Sequence, residues 1–163
     1  MNTLSTVEFK RPIWQTAVLF ALGFWLSASV VLDWVIMPSL YFSGMMSQTS
    51  FTTAGYAIFW NFNRIELLSA AVVLTGVLAL RKTLSGWSVT SIVLSVILLA
   101  IALLDTYLLT PQMCAVGTHL NFFEAASAIP AQMNLLHSSY FVLEAVKLIA
   151  GGALLNWCWR QQV

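Results

Sequence analysis

The stretch WSVTSIVLSVILLAIALLDTYLLT, from Trp87 to Thr110, decides the fold of this chain. It is apolar along almost its whole length, and Asp105 is its only charged residue. About 20 consecutive apolar residues allow an α-helix to cross the hydrocarbon core of a bilayer. Because a backbone in lipid must satisfy its own hydrogen bonds, this stretch is expected to be a membrane-spanning helix.

Three other stretches are also long and apolar enough to be membrane-spanning helices. Together the four predict a single domain over residues 1–163. The four predicted spans are 13–37, 56–80, 87–110 and 134–159. The first and third are expected to end at Pro38 and Pro111, because proline cannot continue the helical hydrogen-bond pattern. The fold class is therefore an all-α, integral membrane four-helix bundle. Its expected partner is the lipid bilayer in which it is embedded.

The composition of the whole chain agrees with a membrane protein. Its 163 residues are 60% hydrophobic and only 8% charged, whereas soluble domains are about 45–50% apolar and about 25% charged. The net charge of +1 offers no basic patch for nucleic acid. The aromatic content of 13% excludes a disordered chain.

The basic residues predict the orientation of the spans. Lys10 and Arg11 precede the first span, Arg81 and Lys82 separate the second from the third, and Arg160 follows the fourth. The two other connections contain no lysine or arginine. Since cytoplasmic loops carry the excess of basic residues, both termini are expected in the cytoplasm.

Polar and ionisable side chains interrupt the predicted spans. They are Asp33, Asn61, Asn63, Arg64, Glu66, Asp105, His137, Glu144 and Lys147. An ionisable residue at the centre of a span costs about 2.5–3.5 kcal/mol on insertion scales, so each must face protein or water. Helical spacing places several of them on one stripe of the fourth span, namely His137, Tyr140, Glu144, Lys147 and Gly151. On the second span, Asn61 and Arg64 share one face while Asn63 and Glu66 share another.

Three interpretations of this polar set remain open, of which one is a surface that binds a partner or contacts a pigment. In the structural one, ion pairs fix the register of the helices: Glu144 pairs with Lys147, and Arg64 bridges Asp33 and Asp105. In the functional one, the acids and His137 form a cation or proton site, because four acids and two bases leave the set with a charge of minus two.

Soft metal ligands and small residues suggest two further features. His137, Cys114 and Met113 are candidate ligands for a soft metal ion such as Cu(I). Cys114 and Cys158 are expected at opposite ends of the bundle, too far apart for a disulfide. Small residues predict close helix packing at Ala71, Gly76, Gly151 and Gly152.

An acid followed by a proline ends both the first and the third span. Asp33 precedes Pro38, and Asp105 precedes Pro111, at nearly the same spacing. Because both spans run in the same direction, the pattern suggests two related helical hairpins.

Four motifs resemble the uncharacterised family of transmembrane protein 205-like four-span membrane proteins. They are Gly23-Phe24-Trp25 with Met37-Pro38-Ser39-Leu40, Tyr56-Ala-Ile-Phe59-Trp-Asn-Phe62, Leu109-Thr-Pro111-Gln-Met113, and Leu136-His137. The closest likeness is to cyanobacterial members that share the run from Phe59 to Glu66. The resemblance implies a four-helix bundle in a plasma (inner) or thylakoid membrane and a loose link to metal or drug resistance. It leaves the cofactor unknown.

Two functions of different classes follow. The first is an accessory, assembly or interaction subunit of a larger membrane complex, or of a homo-oligomer, which the two-sided second span favours. The second is a small cation- or metal-handling transporter or resistance protein, which the excess of acids favours. The sequence contains no nucleophile, zinc-protease or nucleotide-binding motif, so an enzyme is the least supported class.

Overall fold

The computed structural model describes residues 12–45, 50–83, 87–123 and 131–161, and these residues are almost entirely helical. They form four long helices: α1 (Ile13–Phe42), α2 (Phe51–Thr83), α3 (89–123) and α4 (Ala131–Arg160). Each contains a segment long and apolar enough to cross a membrane. The part of the chain that the structure describes contains no strand, so the predicted all-helical fold is confirmed.

The helices pack as a ring in which α1 and α3 each contact both α2 and α4. Fully buried aliphatic side chains fill the interior, among them Val18, Leu22, Val73, Leu98 and Leu154. The outer surface is equally apolar: Phe20, Leu68 and Ile149 are between 67% and 76% exposed. Helices that are apolar on all sides are typical of large cores and of membranes.

The sequence predicts that α1 ends at Pro38 and that α3 ends at Pro111. In the structure, both helices continue past these prolines. A π-helical segment precedes each proline, Val30–Ile36 in α1 and Asp105–Leu109 in α3, and an α-helix continues beyond it. Proline lacks the N–H group and its ring clashes with the carbonyl four residues earlier. A π-helical turn moves its hydrogen bonds to i→i+5, so the helix tolerates the proline instead of stopping.

Asp33 and Asp105 lie inside these two π-helical segments and are buried. The halves of the chain therefore share a local structure as well as the acid–proline pattern. π-helical turns occur frequently at functional sites.

Close helix packing occurs at two of the four predicted small residues. A methyl group added to Gly76 would clash with Cγ2 of Val18 on α1, and one added to Gly151 would lie 2.7 Å from Cδ2 of Leu26, also on α1. Gly152 has open space around its Cα atom, and Ala71 is exposed. Those two residues therefore do not mediate helix packing within this bundle.

The basic residues at the ends of α2 and α4 lie at the same end of the bundle. Arg81 and Lys82 occupy the last turn of α2, and Arg160 occupies that of α4. Lys10 and Arg11, which the orientation prediction also uses, lie outside the described residues.

Candidate functional site: a buried carboxylate–lysine cluster

α4 directs three polar side chains into the centre of the bundle. Tyr140, Glu144 and Lys147 follow one another at helical spacing, and all three are buried. This face of α4 agrees with the stripe predicted from the sequence, except that His137, near the N-terminal end of the helix, is exposed.

Lys147 joins two helices through its ammonium group. Its Nζ atom forms ion pairs with Oε1 of Glu144, one turn earlier on α4, and with Oε1 of Glu66 on α2. The side chains of Lys147 and Glu144 are 0% exposed, and that of Glu66 is 1% exposed. Charges so completely removed from water are stable only with close partners.

Glu66 receives two more hydrogen bonds from α1. Trp25 donates from Nε1 to Oε1 of Glu66 over 2.7 Å, and the Ser29 hydroxyl donates to the same oxygen over 3.1 Å. With Lys147, this oxygen faces three donors. A carboxylate anion is the form that accepts them best, so Glu66 and Lys147 constitute the charged pair of the cluster.

Asp33 occupies the next layer, beside Tyr140 and Glu144. The Tyr140 hydroxyl donates to Oδ1 of Asp33 over 2.8 Å. The other carboxyl oxygen of Asp33, Oδ2, is buried and has no hydrogen-bond partner among the described residues.

Asp105 is the buried acid with the fewest hydrogen bonds. It is 0% exposed, and neither of its carboxyl oxygens has a hydrogen-bond partner among the described residues. Carboxylate oxygens of Asp105, Glu66 and Glu144 nevertheless lie within 4.8 Å of one another. Three helices therefore direct acids at a single point.

The interior of the bundle is short of positive charge. Among the described residues, the four acids Asp33, Glu66, Asp105 and Glu144 are buried together with one lysine, so full ionisation of these five groups would leave a charge of −3. An uncompensated ion in such an interior costs several kcal/mol. Protons or a bound cation must therefore supply the missing charge. The name "buried cluster" is used below for these four acids and Lys147.

The remaining residues of the predicted polar set divide between the interior and the outer surface. Asn63 is buried and donates from Nδ2 to the Thr110 hydroxyl over 2.8 Å. Asn61 is exposed and donates to a carbonyl of its own helix. Arg64 is exposed, with its guanidinium 4.2 Å from the centre of the Trp60 ring. It does not bridge Asp33 and Asp105, and Lys147 provides the cationic link instead.

The soft metal ligands that the sequence suggested lie outside the buried cluster. His137 is exposed and its Nδ1 atom lies 3.0 Å from the Met133 carbonyl, while Cys114 and Met113 are half-buried. Within the described residues, the group of acids, histidines or cysteines close enough to hold a metal ion consists of Glu66, Asp105 and Glu144. Cys114 and Cys158 form no disulfide.

Comparisons with protein-family models, with curated proteins and with solved structures find no match for this chain. The resemblance to the transmembrane protein 205-like family therefore stays a prediction from the four motifs.

Proposed function

We propose that the protein is a multi-pass membrane protein that moves a cation across the membrane in exchange for protons, using the buried cluster as its binding site. Both termini are cytoplasmic in this proposal, in a plasma (inner) or thylakoid membrane. The apolar exterior of the four helices supports insertion, and the basic residues Arg81, Lys82 and Arg160 at one end support the orientation.

One observation carries the functional part: four wholly buried acids share a single lysine. Ion pairs that only fix helix register would bring matched charges together. The buried cluster instead contains three carboxyl groups beyond the Glu66–Lys147 pair. Intramembrane ionisable residues are typical of ion pathways and proton relays.

The π-helical segments around Asp33 and Asp105 support a transport site at this point of the bundle. Both aspartates are buried in these segments. π-helical turns occur frequently at functional sites, and interrupted helices form the central binding sites of many transporters.

Reconstituted vesicles test this proposal. Full-length protein in vesicles with an imposed pH gradient is expected to release protons when Na⁺, K⁺, Ca²⁺ or Mn²⁺ is added, as reported by a pH-sensitive dye. Glu144→Gln should abolish the response at normal protein abundance, because its amide cannot exchange a proton. Ser95→Ala is the control, since that buried hydroxyl donates to a carbonyl of its own helix. A wild-type protein inert to all four cations would contradict the proposal, as would unimpaired exchange by Glu144→Gln.

A second function, an interaction subunit, is favoured by the outward face of α2. Arg64 and Asn61 are exposed there, and a groove of about 540 Å³ runs between α1 and α2 next to them. Polar residues on a lipid-facing surface are costly, so a partner protein or a second copy of the chain would cover them.

The native mass of the tagged protein in gently solubilised membranes tests the second function. An interaction subunit is expected to co-migrate with a larger complex and to lose it in Arg64→Leu. Retention of the wild-type mass by that variant would contradict a role for this face. Migration of the wild-type protein alone would leave the exchange function as the single proposal.

A further inference from the structure

We infer that the buried cluster binds a divalent, oxygen-preferring cation such as Ca²⁺ or Mn²⁺ between α2, α3 and α4, with Lys147 remaining in place. This inference rests on the proposed exchange function and names the class of its substrate.

The ligand atoms are the carboxyl oxygens that the protein leaves without partners. Lys147 engages Oε1 of Glu66 and of Glu144, whereas Oε2 of each has no hydrogen-bond partner among the described residues. Both oxygens of Asp105 are in the same condition. Three side chains thus offer four unsatisfied oxygens without displacing the ammonium group.

Asp105 provides independent evidence for a ligand at this site. It is 0% exposed and has no donor in the part of the chain that the structure describes, although it sits among other acids. Buried polar groups in native proteins almost always have a partner. A cation between the three carboxylates would satisfy Asp105, which no side chain of the described residues does.

The spacing of the carboxylates allows one ion to contact all three of them. Oxygens on opposite sides of a bound cation are about 4.2 Å apart for Mg²⁺ and about 4.6–5.2 Å apart for Ca²⁺. Oxygens of Glu66, Asp105 and Glu144 lie within 4.8 Å of one another, so a single divalent cation fits between them.

The chemistry of the ligands sets the kind of ion. Carboxylate oxygens suit Ca²⁺, Mg²⁺ and Mn²⁺, whereas Cu(I) requires thiolate or thioether ligands. The group of three contains neither histidine nor cysteine. The structure therefore favours a hard divalent cation over the soft metal suggested by His137, Cys114 and Met113.

Charge balance predicts the number of protons exchanged. Glu66 and Lys147 neutralise each other, so Asp33, Asp105 and Glu144 together require three positive charges. Three protons supply them in the cation-free protein. A divalent cation replaces two of these protons, and the third remains on the cluster.

Calorimetric titration of the purified full-length protein with Ca²⁺ and with Mn²⁺ tests the inference, in two buffers that differ in protonation enthalpy. We expect one cation per chain and release of about two protons, the number that keeps the cluster neutral. Asp105→Asn should weaken binding by about 100-fold or more, since even supporting residues of metal sites contribute about 10–100-fold. The matched control is Thr106→Val, because the adjacent buried hydroxyl donates to a carbonyl of its own helix.

The outcomes separate this inference from the proposed function. Equal binding by wild type and Asp105→Asn would place the ions elsewhere and overturn the site. Binding without proton release would overturn the exchange of protons for the cation. Absence of binding by either metal, with Na⁺- or K⁺-driven exchange intact in vesicles, would overturn the divalent assignment alone. Absence of both binding and exchange would overturn the function as well.

Discussion

Lys147→Met is expected to remove most of the protein from the membrane fraction. The substitution leaves Glu66 and Glu144 without the ammonium group that pairs with both of them. Loss of one partner from a buried ion pair costs about 3–5 kcal/mol, against a total stability of about 5–15 kcal/mol for a typical domain. Abundance in isolated membranes and the thermal unfolding of the small purified fraction measure the effect.

Two variants make this result specific to the ion pairs. Arg64→Met also removes one positive charge, but from an exposed side chain that stacks on Trp60, so its abundance should remain near that of wild type. The double variant Lys147→Met with Glu66→Gln should recover part of the loss. The amide oxygen introduced by Glu66→Gln still accepts hydrogen bonds from Trp25 and Ser29, and the substitution removes one uncompensated negative charge. Wild-type abundance and stability of the single variant Lys147→Met would contradict the pairing.

Much of the fold is readable from the sequence because length and hydropathy determine it. Four apolar stretches predict four helices, and helical spacing correctly places Tyr140, Glu144 and Lys147 on one buried face. The same spacing places Asp33 with Trp25 and Ser29 on α1, and all three are buried. These relations are local to one helix, so they need no knowledge of how helices are aligned.

The contacts of Glu66 at the centre of the site cannot be predicted from the sequence in the same way. Glu66 meets Trp25 and Lys147 across three helices, at separations of 41 and 81 residues along the chain. Spacing within a helix gives the direction of a side chain but not its depth relative to a neighbouring helix. The sequence therefore predicts the pair Glu144–Lys147 and misses the second acid.

Arg64 shows a different limit. It lies two residues from Glu66, so the two side chains point about 200° apart and only one of them can enter the bundle. The sequence did not decide which one. Trp60 lies one turn earlier and receives the guanidinium on its ring, an interaction that stabilises an exposed arginine by about 0.5–1 kcal/mol.

Asp105→Asn is expected to make the cation-free protein more stable while abolishing cation binding. In cation-free wild type, Asp105 is buried without a donor and holds one of the three protons, so folding at neutral pH must protonate a carboxyl that is ionised in the unfolded chain. Asparagine has nearly the same shape, carries no charge, and its amide can donate to the unsatisfied oxygens of Glu66 and Glu144. Relief of an unsatisfied buried group is worth about 1–3 kcal/mol, and each kcal/mol raises the melting temperature of a chain of this size by about 2–4 °C.

Thermal unfolding in a chelating buffer measures this gain, with Thr106→Val as the control expected to melt near the wild-type temperature. A cluster that only fixed helix register would respond in the opposite way, because loss of Asp105 would then remove a stabilising contact and lower the melting temperature. Addition of Ca²⁺ or Mn²⁺ should stabilise wild type and leave Asp105→Asn unchanged, since only a ligand bound to the native state shifts unfolding. Residues kept for function at the expense of stability show this combination of a more stable variant and a lost activity. A melting temperature below that of wild type in the chelating buffer would therefore assign Asp105 to structure and remove it from the binding site.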